Sequence, residues 1–359
     1  MSLKANYFLY TLYFKFEAGT SRGVFHQKDT FFIQVYDPDF PEIIGWGEAA
    51  PLRGLSVDDR PDFEDQLAEI CLRMHPFDLP KTTEEVLGLV QNLVSHDLPA
   101  IRFAFETALL DCLRGGERII FDNEFSRGES YLPINGLIWM GSPDFMQAQI
   151  EQKLAQGFSC IKMKIGALDF EQECSLLASI RKRYSADEIT LRLDANGAFS
   201  PDDALKKLNK LADFQIHSIE QPISPNQWVT LRQLCQESPI PIALDEELIG
   251  KSDYSSKQNL LESVQSPYII LKPSLLGGFQ ATLDWIKIAQ KLQIGWWITS
   301  ALESNIGLNA ISQFTANFPV QMPQGLGTGN LFHNNIASPL ELEGERLYYR
   351  PQKNWEISF

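Results

Sequence analysis

The stretch "SCIKMKIG", residues 159–166, sets two lysines inside a run that otherwise has the composition of a buried strand. Side chains on a strand alternate faces, so Lys162 and Lys164 point one way while Ile161, Met163 and Ile165 point the other. The apolar side is ordinary packing. The lysine side must face something that welcomes positive charge.

Outward from this stretch, short apolar runs recur: "LPINGLIWM", "CIKMKIG", "ITLRLDAN", "SIEQP", "PIALDEE", "YIILKPS", "GWWITSALES" and, more weakly, "VQMPQGLGT". Between them lie amphipathic helical patterns such as "PDFMQAQIEQKLAQG" and "PDDALKKLNKLADF". That alternation is the signature of βα units around a parallel sheet, and eight runs over some 200 residues suit a barrel better than an open doubly wound sheet. The first fifty residues differ. "YFLYTLYFKF", "TFFIQVYD" and "IIGWGEAAPL" read as antiparallel strands, the first two joined through a loop at "GTSRG". From about Asp59 the period becomes helical, ending in "LPAIRFAFETALLDCLRGG", where Ile101, Phe105, Ala108 and Leu109 make one face and Gly115 with Gly116 stops the helix. The expected organisation is an α+β unit over 1–118, a barrel over 119–328 and a C-terminal segment over 329–359.

Lys164, Asp194, Glu220, Asp245 and Lys272 each fall at or near the end of such a run, at intervals of 30, 26, 25 and 27 residues. One βα unit has about that length, so the five charges ring one mouth of the barrel, the face where barrel active sites are built. Three carboxylates converging there without a neutralising partner repel one another, and a hard divalent cation resolves the conflict. Their oxygen-only donor set, with no Cys or His, suits Mg²⁺ better than zinc or copper. Asn196, two residues after Asp194 on the same face, is expected to touch substrate or support the ligands rather than to be a fourth ligand. Lys164 and Lys272 then stand on opposite sides of a metal-bound carboxylate, within reach of the carbon next to it. A nearby cation and partial burial lower a lysine pKa towards that of a working base, and Lys162 adds like-charge repulsion. The reaction class is proton abstraction alpha to a carboxylate, with the metal stabilising the developing charge.

Composition excludes several other roles. A net charge of −15 with no basic stripe repels a phosphate backbone, so nucleic acid is not an expected partner. No apolar run reaches the length of a membrane span, and the N-terminus lacks a basic segment followed by an apolar one, which points to a soluble, cytoplasmic protein. The five scattered cysteines contain no C-x-x-C pair and read as reduced core residues; the five histidines fit no metal or triad spacing. "GLGTGN" reads as a turn rather than a phosphate loop. A Schiff-base barrel using Lys164 or Lys272 as nucleophile would leave the three carboxylates unexplained.

These residues closely resemble the enolase superfamily, in which lysine and magnesium chemistry of this kind is a known pattern. "KMK", "LDAN", "IEQP", "LDEE" and "LKPSLLGG" match, in order, the base strand, three metal-ligand strands and second-lysine strand of its muconate-lactonizing subgroup. The resemblance implies a modified (β/α)7β TIM barrel with an α+β capping domain, Asp194, Glu220 and Asp245 as Mg²⁺ ligands, Lys164 as acid and base, Lys162 as its modulator and Lys272 as the opposing lysine. Glu247 replaces the commoner serine of that motif and leaves Asp245 untouched. "WWITSALESNIG" lacks the histidine of the mandelate-racemase type, which disfavours acid-sugar dehydration.

Within the subgroup, "TSALESNIGLNA", "GTGNLF" and "LRLDANGAF" with Arg192 look most like the o-succinylbenzoate synthase family. That resemblance implies a syn elimination of water from a cyclohexadiene carboxylate, a small-molecule substrate. It also implies substrate contacts from Arg192, Thr299 and Ser300, and from Arg22 in the covering "GTSRG" loop. Racemisation of N-acylamino acids or epimerisation of dipeptides on the same scaffold is the alternative. A dipeptide epimerase of this kind should carry acidic residues after the eighth run, and "PQGLGTGNL" has none.

Overall fold

A computed structural model describes residues 2–20 and 23–357. The chain opens with an antiparallel sheet of β1 (Lys4–Thr20), β2 (Gly23–Tyr36) and β3 (Ile44–Ala49), followed by helices α1 (Phe63–Arg73), α2 (Thr83–Leu93) and α3 (Pro99–Leu113). The β1–β2 register runs from Lys4 opposite Tyr36 to Tyr13 opposite Gln27 and then shifts before Ala18. Such an irregularity bends a strand. On β3, a Cβ at Gly45 or Gly47 would collide with the backbone oxygens of Ala108 or Ala104, so these glycines let the sheet lie directly on α3. The sequence pattern predicts a single apolar face on α3. In the structure Phe103, Ala104 and Leu110 are buried as well as Ile101, Phe105 and Leu109, because the helix is sandwiched between the sheet and the barrel.

After β4 (Tyr131–Pro133) the chain forms seven parallel strands: β5 (Gly136–Ile138), β6 (Cys160–Lys164), β7 (Thr190–Asp194), β8 (Ser218–Glu220), β9 (Ile242–Leu244), β10 (Tyr268–Leu271) and β11 (Gly295–Ile298). Between and after them lie α4 (Pro143–Ala155), α5 (Phe170–Arg181), α6 (Pro201–Ala212), α7 (Trp228–Glu237), α8 (Tyr254–Val264), the short α9 (Pro273–Leu276), α10 (Gly278–Leu292) and α11 (Asn305–Thr315). The two helices read from their sequence pattern begin where their chemistry dictates. Ser142 and Ser200 cap α4 and α6 by accepting from the amides of Phe145 and Asp203, each with proline just inside the helix.

The eighth apolar run does not make a strand. Only Gln324, bridged to Ile134, and Gly325, bridged to Thr299, carry it, and these two parallel bridges close the ring between β11 and β5. Pro323 has no amide to donate, so pairing does not extend before Gln324, and Gly325 lets the backbone approach Thr299, whose hydroxyl a Cβ would strike. The result is a modified TIM barrel with an α+β cap. The end of the chain forms the hairpin β12 (Leu340–Glu343) and β13 (Arg346–Tyr349), paired to β4. Before it, the Lys15 amide donates to Leu331 and the His333 amide to Tyr13, which lays residues 331–333 along β1. No helix among the described residues is long and apolar enough to cross a membrane.

Candidate active site

Strand register aligns Lys164, Asp194 and Glu220, and Asp245 and Lys272 follow the ends of their own strands. Lys164 lies opposite Asp194, Asp194 opposite Glu220 and Glu220 opposite Ala243, so Asp245 follows one step beyond β9 and Lys272 directly follows β10. All of these residues therefore sit at the carboxyl ends of their strands. Asp194, Glu220 and Asp245 are buried at 1%, 0% and 2% exposure. Lys162 Nζ stands 3.0 Å from Asp194 Oδ2 and also pairs with Glu220 Oε2. Lys164 Nζ lies 2.9 Å from Asp194 Oδ2 and donates to Asn196 Oδ1 at 2.9 Å, while Lys272 pairs with Asp245.

Each of the three carboxylates is paired with a lysine. No group of three acidic, histidine or cysteine side chains among the described residues is spaced as a closed metal cage.

The electrostatic balance is uneven. Burial alone would lower the Lys162 pKa, but the charges of Asp194, Glu220 and Asp245 outweigh it and hold the ammonium above the ordinary lysine range. Asp194 is likewise buried, yet Lys162, Lys164 and Lys272 hold it below the usual carboxylate range. Glu220 goes the other way. Burial pushes it up to about 7, with Asp194 and Asp245 adding to the effect against Lys162. Its Oε1 is buried and accepts no hydrogen bond. A carboxylate driven towards neutrality with an idle oxygen is the situation that a hard cation relieves, so this all-oxygen donor set fits Mg²⁺.

Lys162, Lys164, Asp194, Asn196, Lys272, Thr299 and Ser300 line one cavity of about 720 Å³. The hydroxyl of Thr299 donates to Gly325 O at 3.0 Å, and that of Ser300 shares a 2.7 Å hydrogen bond with Thr328. Asn196 also donates to Glu246 Oε1 at 3.0 Å.

Arg192 does not reach the cavity. It shares a face with Asp194 but lies one strand step deeper, where it is 1% exposed, donates to Pro323 O at 2.7 Å and stacks 4.2 Å over Trp297. The Arg192 side chain is thus not among those that line the cavity. Arg22 lies outside the described residues. Glu247 holds a loop, accepting from the Trp228 indole at 2.6 Å and the Asn226 amide at 3.0 Å.

Sequence reasoning missed much of the rest of the wall. Asn135, Leu137 and Trp139 alternate inward from β5, a period-2 signal present in "LPINGLIWM". Phe16 and Leu52 arrive from the cap and Leu302 from the loop after β11. No local pattern marks the cap residues, since their place depends on how the cap docks.

Residues 146–352 match the family described as "Enolase C-terminal domain-like". The o-succinylbenzoate synthase of Desulfotalea psychrophila is 47% identical over 94% of this chain and 96% of its own length. The crystal structure of MenC from the same organism superposes with a TM-score of 0.86 at 42% identity, covering 97% of this chain and 100% of that one. The L-Ala-D/L-Glu epimerase of Bacillus subtilis is more distant, 25% identical over 76% of this chain and 74% of its own. With its barrel, its lysine and carboxylate ring and these relatives together, the chain belongs to the enolase C-terminal domain-like family.

Proposed function

We propose that the protein is a hydro-lyase that converts 2-succinyl-6-hydroxy-2,4-cyclohexadiene-1-carboxylate to o-succinylbenzoate, in the cytoplasm and as a step of menaquinone biosynthesis. Asp194, Glu220 and Asp245 would hold Mg²⁺, which when bound supplies positive charge to the substrate carboxylate and so acidifies the neighbouring carbon. Lys164 takes the alpha proton and gives it to the departing hydroxide on the same face, so water leaves, the ring becomes aromatic and the base returns to its starting state. Lys272, on the opposite wall, stabilises the flattened carbanion through its charge, in part by lying against the ring face. Lys162 sets the electrostatic background through its contacts with Asp194 and Glu220. Thr299, Ser300 and Asn196 position the substrate from the cavity wall.

The observation that carries this reading is that Lys164 and Lys272 both line one cavity, each paired with a different carboxylate of the set, Asp194 and Asp245. A second observation favours dehydration over dipeptide epimerisation: among the described residues, Asp194 is the only acidic side chain lining the cavity. The ammonium group of a dipeptide would find no other carboxylate there. The test is conversion of the cyclohexadiene substrate to the ultraviolet-absorbing aromatic product, with and without chelator. Product formed only with Mg²⁺ supports the reading. Absence of product together with exchange of a dipeptide's alpha proton for deuterium would replace it by the epimerase.

A further inference from the structure

Leu302 has a left-handed backbone, φ +66°, which a bulky side chain rarely adopts without support. It lines the cavity, and it joins an apolar seam in which Leu12, Phe14 and Leu52 of the cap meet Trp139 and Leu275 of the barrel. The support for this turn comes from the cap. Lys28 on β2 is 6% exposed, and its ammonium donates to both carbonyls that flank the turn, Ala301 O at 3.2 Å and Leu302 O at 3.0 Å.

The amides of the same loop are held by two buried carboxylates. Glu303 accepts from the Ala301 amide at 2.7 Å. Glu48, on β3, accepts from the amides of Ser304 at 2.8 Å and Gly307 at 2.9 Å, and Thr30 donates to it at 3.0 Å. Burial lowers the Lys28 pKa, and the charges of Glu303 and Glu48 oppose that effect. A buried ammonium is costly to desolvate, and an apolar side chain would fill the same space. What the ammonium adds is direction, because two carbonyls must point at one atom.

We propose that Lys28 is a positioning residue for the dehydration. From the cap, it fixes the left-handed turn at Leu302 and thereby the apolar side chain that walls the cavity against the substrate ring. Lys28 does not line the cavity, so it acts only through the loop. The inference rests on the dehydration reading and predicts an effect on substrate binding rather than on proton transfer.

The test compares steady-state kinetics of the parent with Lys28→Met, Lys28→Arg, Leu302→Gly and the combination of Lys28→Met with Leu302→Gly. Lys28→Met should raise KM about tenfold, the worth of one displaced leucine contact, with kcat within about threefold of the parent. Lys28→Arg, which keeps the charge, should recover most of the lost binding. Leu302→Gly removes the wall but suits the backbone, so it should raise KM by a similar factor, and the combined variant should be no worse than either single one. A KM for Lys28→Met within about twofold of the parent, or defects that multiply in the combined variant, would overturn the proposal. If Lys28→Met does not fold, Lys28→Gln takes its place under the same criteria, and an unchanged KM for Leu302→Gly ends the proposal by itself. An inactive parent overturns the dehydration reading instead. Amide exchange over residues 301–304 then tests the clamp alone, with about tenfold faster exchange in Lys28→Met expected and unchanged exchange refuting it.

Discussion

Lys162 reaches past its own register partner to the carboxylate of Asp194, Nζ to Oδ2 3.0 Å, although the residue paired with Asp194 across the strands is Lys164. Both ammonium groups therefore converge on a single oxygen, since Lys164 Nζ is 2.9 Å from the same atom. Two lysines converge on one carboxylate oxygen beside Glu220, whose Oε1 has no hydrogen-bond partner, and on the proposed function these carboxylates would hold Mg²⁺.

Magnesium should therefore compete with these ammonium groups and stabilise the fold as it binds. At a hundredfold excess over its dissociation constant the gain is about 2.7 kcal/mol, which appears as a rise in Tm of several degrees between chelator and excess Mg²⁺. Asp194→Asn should fold and lose that response. A parent protein whose thermal melt ignores Mg²⁺ would show that the three carboxylates do not form a metal site.

Lys164→Ala should leave a folded, Mg²⁺-responsive protein, because Asp194 keeps its contact with Lys162. Its turnover should fall by about 10³-fold or more, beyond what loss of a single binding contact produces. Single-turnover measurement of aromatic product separates the chemical step from binding. Turnover within tenfold of the parent would remove Lys164 from the role of base.

What was legible in the chain and what was not divides along physical lines. Lys164, Asp194, Glu220, Asp245 and Lys272 could be placed because both signals that locate them are local: period-2 alternation selects the face, and the βα repeat selects the end of the strand. Which neighbour a long side chain turns to is a different matter: Arg192 is in register with the cavity-lining Lys162 but is held by Pro323 O and the Trp297 ring. The eighth run is short as a strand because Pro323 has no amide to donate, a property of the backbone that its apolar composition masks. Phe16, Leu52 and the Lys28 clamp depend on docking of the cap, which no window of sequence contains.

Arg192 provides a direct check on that distinction. Its guanidinium carbon lies 4.2 Å from the centre of the Trp297 ring while the group donates to Pro323 O, a pair of contacts that a lysine cannot reproduce. Arg192→Lys should cost about 1–3 kcal/mol of stability, seen as a lower Tm, while kcat/KM of the folded protein stays within about threefold of the parent. A loss of affinity for the substrate at unchanged Tm would return Arg192 to the binding site.

Glu106 predicts the pH dependence of stability away from the active site. It is buried on α3, accepts from the Phe279 amide at the start of α10, and has a second oxygen, Oε1, with no hydrogen-bond partner. Burial pushes its pKa up to about 8 from an ordinary value of 4.5, against the Phe279 and Gln280 amides and Arg102, which pull it down. Below pH 4.5 the group is neutral in both folded and unfolded chains and makes no difference to the balance. As pH rises from 4.5 towards 8 the unfolded chain ionises while the folded one stays neutral, so stability falls across that window and levels above it. Glu106→Gln keeps an acceptor for the Phe279 amide and removes the ionisation. The variant should melt close to the parent at about pH 4 and several degrees above it at about pH 9, since every tenfold change in the ionisation equilibrium is worth about 1.4 kcal/mol. Melting curves of both proteins across that range are the measurement, and a constant difference between them would mean that Glu106 is already ionised in the native state.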